Sequence, residues 1–168
     1  RGMSYYSPGE LRERQVKWLK QDLALTPKDM KVVLCYHIPF TFGNAPFSKA
    51  KPLTNANEEG HYSSSRLSLL LSLLKPFKGG YELFCGHTHF ACNHEINYEG
   101  EDVMEHCHAA ACGNIWQSNI NICGTPNGYY VYSFVGTSIS NCYYKGTFWD
   151  KSKQMTIFRA QTDFNGEK

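Results

Sequence analysis

Two helical apolar stripes and several short strand-like runs organise the chain. Val16, Leu19 and Leu23 recur at three- and four-residue spacing, which predicts one amphipathic helix, with Trp18 widening its apolar face. Ser7 is placed as its N-cap, Pro8 at its first turn and Glu10 where a capping box needs an acid, so the helix is predicted from there to about Leu25. Thr26-Pro27 stops it, because proline disfavours helical geometry in the residue before it. Residues 31–36 form a short, nearly continuous apolar run, the pattern of a strand buried on both faces of a parallel sheet. A second helix is predicted over 63–77, capped by Ser63 or Ser64 and ended by Lys78-Gly79-Gly80. Residues 81–85 are a second short buried strand.

The order helix, strand, polar loop, helix, strand predicts an α/β fold, in which functional groups collect at the carboxyl ends of strands. The pattern changes after Cys112. Residues 128–136, 141–148 and 154–162 are aromatic and β-branched and separated by turn-like residues, which predicts a small antiparallel β domain. The division expected is therefore 1–112 and 113–168. Between the first strand and the second helix, residues 40–62 are rich in Gly, Asn, Pro, Ser and Lys and show no periodicity; a loop of that length inside a domain is commonly functional or disordered.

Composition narrows the class without choosing it. Of 168 residues, 42% are hydrophobic, enough for a core and too many for a disordered chain. A formal charge of +2 gives no basis for nucleic-acid binding. No run approaches the ~20 apolar residues of a membrane span. Nothing before the first helix reads as a signal peptide. The seven cysteines are odd in number and form no regular pairing frame, so most are read as reduced, with Cys35 and Cys85 acting as small hydrophobes inside strands.

The strongest chemical signal is Gly86-His87-Thr88-His89 directly after the second strand. In an extended strand the two imidazoles would point to opposite faces, so both reach one region only if the backbone turns there, and Gly86 is read as freeing that turn. Imidazole suits zinc, iron and manganese. His37 follows the first strand in the same way, with Pro39 fixing the chain just beyond it. His106 and His108 alternate like neighbours on one strand face, suited to lining a cleft or to packing. Cys85, His87, His89, Cys92 and His94 also allow a structural zinc cluster. The aromatic residues of 129–149, Trp149 included, allow either a small β core or a binding platform.

The order Val-Leu-Cys-Tyr-His-Ile-Pro, helix, Leu-Phe-Cys-Gly-His-Thr-His resembles the last two metal motifs of the calcineurin-like metallophosphoesterases. Gln15, Trp18-Leu19-Lys20, Asp22-Leu23, Glu105-His106, 109–113, Gly124-Thr-Pro-Asn-Gly-Tyr-Tyr-Val-Tyr and Tyr144-Lys145-Gly146 resemble a bacterial subfamily with a small C-terminal β domain. The resemblance implies the second half of an αββα sandwich followed by that domain. It implies a metal-dependent phosphoesterase in which His37 and His87 ligate one of two divalent ions (Mn, Fe or Zn) and His89 the other. Asn44 and His61 from the long loop, with its Lys49 and Lys51, and His106 are the candidate substrate contacts. Asp-x-His, Gly-Asp-x-x-Asp and Gly-Asn-His-Asp/Glu, which the family also uses, do not occur here. The expectation is a phosphate-ester hydrolase that needs the N-terminal half of its core as partner, holding at most one metal weakly and inactive alone. The subfamily's setting leans toward the bacterial periplasm or cell surface. The alternative is a non-catalytic domain with a structural metal and a partner- or glycan-binding β module.

Overall fold

The computed structural model describes residues 11–40, 64–98, 100–112, 118–121 and 123–157. The first helix, α1 (Glu13–Leu25), begins later than its sequence signals suggest. Residues 11 and 12 are not helical, and the Gln15 side chain accepts the Arg12 backbone N–H at 2.9 Å to close the first turn. The proposed cap at Ser7 lies outside the described residues. Val16, Leu19 and Leu23 are buried as their spacing requires. Trp18 is not part of that face: it is 61% exposed, because it lies off the 16-19-23 stripe that meets the sheet.

Strand β1 (Val32–Cys35) is followed by α2 (Ser64–Leu74), β2 (Tyr81–Cys85), β3 (Cys92–Tyr98) and β4 (Glu101–Cys107). These strands form one sheet in the order β1-β2-β4-β3. The β1/β2 and β2/β4 pairs are parallel, while β3 runs antiparallel to β4 through a turn at Gly100. On α2, Leu67, Leu70, Leu71 and Leu74 repeat at helical spacing and are all buried. They join Leu19, Leu23, Phe77, Leu83 and Val103 in one core, packed on the sheet face that carries Val32 and Leu34.

The opposite face is covered only in part. Val33 is 41% exposed, Met104 is 41% exposed and Cys35 is exposed, so β1 is not buried on both faces and Cys35 is not a core residue. Continuity of apolar sequence in β1 records two faces that can be buried; the described residues bury one.

The β3–β4 hairpin has no forecast in the sequence pattern. Its polar and charged residues obscure the alternation that buries Val103, Glu105 and Cys107 and leaves Asp102 and Met104 outside. After it, β5 (Gly128–Val135) and β6 (Ser138–Gly146) form a two-stranded antiparallel ribbon with a bulge at Ser133/Phe134. The third strand expected from Gln154 is not formed over 154–157, which is irregular. That segment instead crosses the Gly124 turn, where the Thr156 N–H donates to the Gly124 carbonyl at 2.7 Å. The result is a mixed α/β fold with parallel and antiparallel strands. A second sheet of a sandwich is not among the described elements.

Candidate functional site

Parallel pairing of β1 with β2 puts His37 and His87 at the same end of adjacent strands. The strand ends are tied together: Tyr36 N–H donates to the Phe84 carbonyl at 3.0 Å, and Gly86 N–H donates to the His37 carbonyl at 3.0 Å. The imidazoles meet beyond them, with His87 Nδ1 3.1 Å from His37 Nε2 and the rings edge to face at 4.9 Å between centroids.

The turn that brings His87 there is not made by Gly86. His87 has φ 71° and His89 has φ 60°, while Gly86 is not among the residues with positive φ. The Thr88 N–H donates to the Gly86 carbonyl at 2.8 Å, closing a three-residue turn centred on His87. Two non-glycine residues in the left-handed region cost of order 1 kcal/mol each, and such strain concentrates at functional sites. The backbone cost therefore falls on the histidines themselves.

A cluster of thiols lies beneath this loop. Cys92 and Cys107 are directly paired across β3 and β4, and Cys85 pairs with Cys107 across β2 and β4. The three are buried together. The Cys107 thiol donates to the Gly86 carbonyl at 3.1 Å, and its sulfur is 3.0 Å from Thr88 Oγ1. Both partners flank His87. Hydrogen bonding to Cys107, then burial, pushes the Cys85 and Cys92 thiols well above the ordinary range. The buried His94 imidazole lies 3.1 Å from Cys92 Sγ.

The zinc-cluster alternative requires these sulfurs and His87 and His89 to share a centre. Instead Cys85 and Cys92 gather on Cys107 in the core, while His87 faces His37. Among the described residues, no group of three or more His, Cys, Asp or Glu side chains is arranged to hold a metal ion. His37 and His87 do fit part of a site. Two nitrogens each ~2.0–2.1 Å from one ion, at angles between octahedral and tetrahedral, stand about 3 Å apart. The observed separation matches that, so the pair can supply two donors and leaves the others to be provided.

His106 sits elsewhere, on the sheet face opposite the helices. Its Nδ1 is 2.8 Å from Asn93 Oδ1, its Nε2 is 3.6 Å from Glu82, and its ring packs edge-on against Phe84. His108 Nε2 is 2.8 Å from the Tyr132 hydroxyl and its ring stacks on Tyr130. Burial lowers both imidazoles; Glu82 opposes this at His106, while the charge of His106 adds to it at His108. Asn44 and His61 lie outside the described residues, as do Lys49 and Lys51.

Two further polar residues organise this region, and the sequence pattern assigns a role to neither, although Glu105 lies in a motif that carries the resemblance. Glu105 is fully buried, and its Oε1 accepts the Tyr36 hydroxyl at 2.5 Å and the Phe40 N–H at 2.7 Å. Asn121, also buried, accepts the Ala110 N–H at 3.1 Å and donates to the carbonyls of Ala110, Thr125 and Pro126. It thereby fastens the Gly124-Thr-Pro-Asn-Gly-Tyr turn to the segment after β4. The Tyr144 hydroxyl donates to the same Pro126 carbonyl, and burial pushes its pKa up to about 12.

Residues 105–168 match the family model described as the C terminal of calcineurin-like phosphoesterase. No curated protein and no solved structure matches the chain. None of the helices is long and apolar enough to cross a membrane among the described residues.

Proposed function

We propose that this chain, whose residues 105–168 match the C-terminal region of calcineurin-like phosphoesterases, supplies part of the metal site of a phosphate-ester hydrolase. The observation that supports the reading is the 3.1 Å approach of His37 and His87 at matched strand ends, maintained at the cost of positive φ at His87 and His89. In this reading His37 Nε2 and His87 Nδ1 hold one ion, and His89, two residues on, serves the second. A pair of divalent ions, manganese, iron or zinc, would supply a hydroxide nucleophile near neutral pH and clamp the phosphoryl oxygens.

The chain's own groups bind and orient. Residues 41–62 follow His37 closely in sequence, so Asn44 and His61 are the proposed ester contacts. His106 stands on the partly covered sheet face, so its contact with substrate requires the cleft that a second sheet would complete. The exposed Val33 and Met104 on that face suit such a partner sheet, which we assign to the N-terminal half of the core, along with the missing carboxylate and asparagine ligands.

The test is hydrolysis of an aryl phosphate with added manganese, zinc or iron. The chain alone is expected to show no metal-dependent turnover above a His87→Ala control. Joined to the N-terminal half, it is expected to show turnover that His87→Ala abolishes. Turnover in the joined protein that survives both His37→Ala and His87→Ala would refute the assignment.

A further inference from the structure

Glu105 is the one acidic residue in the core of the described chain, fully buried and paired in the sheet with Leu83. A carboxylate there is costly without hydrogen-bond donors, and an apolar side chain of similar volume would serve packing as well or better. What Glu105 does with its buried oxygen is specific. It accepts the Tyr36 hydroxyl at 2.5 Å and the Phe40 N–H at 2.7 Å. Those partners bracket His37: one precedes it directly, the other follows it by three residues, with the fully buried Pro39 between.

The topology sharpens the point. The strand order is β1-β2-β4-β3, so Glu105 on β4 reaches past β2 to hold the loop that leaves β1. Backbone bonds from β2 already fix the entry to that loop, through Tyr36 N–H and the His37 carbonyl. Glu105 fixes its exit. With both sides held, the backbone that carries His37 is fixed beside His87.

We propose that Glu105 is a positioning residue that sets His37 against His87. This rests on the reading of that pair as metal donors. Donor groups must be held to about half an ångström to act together. Without Glu105, the bonds from the Tyr36 hydroxyl and the Phe40 N–H that hold the two sides of His37 are lost, and the segment between them loosens.

The experiment compares the chain with its Glu105→Leu, Glu105→Gln and Tyr36→Phe variants. Three measurements are made on each: the thermal midpoint, Co²⁺ affinity from visible absorbance, and the imidazole nitrogen shifts of His37 and His87 without metal. Glu105→Leu is expected to stay folded, to bind Co²⁺ about tenfold more weakly, and to show imidazole nitrogen shifts of two rings no longer in contact. Glu105→Gln keeps an oxygen able to accept both donors and is expected to restore most of the affinity and the coupled shifts. Tyr36→Phe is expected to fall between. A folded Glu105→Leu with unchanged affinity and unchanged shifts overturns the proposal. If Glu105→Leu does not fold, Tyr36→Phe decides: shifts identical to the parent's overturn it, and partly uncoupled shifts support it. If the parent chain, with only two of the donors, binds no Co²⁺ that His37→Ala removes, the metal-free shifts alone decide whether Glu105 sets the pair, and the metal reading is left to the turnover test of the joined protein.

Discussion

Phe84 of β2 and Tyr132 of β5 stack with ring centroids 4.5 Å apart and planes 25° from parallel. Phe84 points away from Leu83 and hence from the helices, so this stack is where the β5–β6 ribbon meets the partly covered sheet face. The Tyr132 hydroxyl adds the 2.8 Å contact with His108 Nε2. Tyr132→Ala removes both, and is expected to cost about 1–3 kcal/mol. Hydrogen exchange should locate the loss, with amides of 128–146 losing protection while those of β1 and β2 keep theirs. Equal loss in all strands would show the ribbon and sheet to be one cooperative unit with no separable seam.

His106 and His108 make stability fall in acid. Burial holds both imidazoles below the ordinary value of about 6.5, so between their folded pKa values and that value the unfolded chain binds more protons. Their contribution is complete above about pH 6.5 and is lost as pH falls through that window. The urea midpoint is expected to drop from pH 7 to pH 5. The drop should be shallower in a His106→Gln/His108→Gln variant.

Gly124 is fixed by its backbone and by its neighbour. Its φ is +85°, and a Cβ there would lie 2.6 Å from the Thr156 carbonyl oxygen. Gly124→Ala therefore combines left-handed strain with a backbone clash, and is expected to destabilise by more than about 1 kcal/mol. Denaturant unfolding measures the cost, and loss of exchange protection at the Thr156 amide shows where it falls.

The cysteines should separate by reactivity. Cys35 and Cys142 are exposed, whereas Cys85, Cys92 and Cys107 are buried in hydrogen-bonded contact. Iodoacetamide is expected to label Cys35 and Cys142 in the native chain and to reach the buried three only on unfolding. Peptide mapping after a short pulse distinguishes the two sets. Rapid native labelling of Cys107 would show that the loop carrying His87 opens.

Local pattern alone determined the two helices, the strands on either side of α2 and the candidate histidines, since each rests on contacts within a few residues. The leucines of α2 have one way to share a face, and the order strand, helix, strand leads to parallel pairing that aligns the two strand ends. The nearness of His37 to His87 was thus legible in outline. Its geometry was not. The left-handed turn falls on His87 and His89, although glycine is the residue whose intrinsic preference suits it. Bonds to Gly86 from Thr88 and Cys107 accompany that choice, the latter from a residue 21 positions away. The β3–β4 hairpin was hidden because Glu105, the residue that breaks its apolar alternation, faces inward. Only the assembled sheet shows why a carboxylate can be there: Tyr36 and Phe40 are distant in sequence and adjacent in space, and they provide the hydrogen bonds that make its burial tolerable.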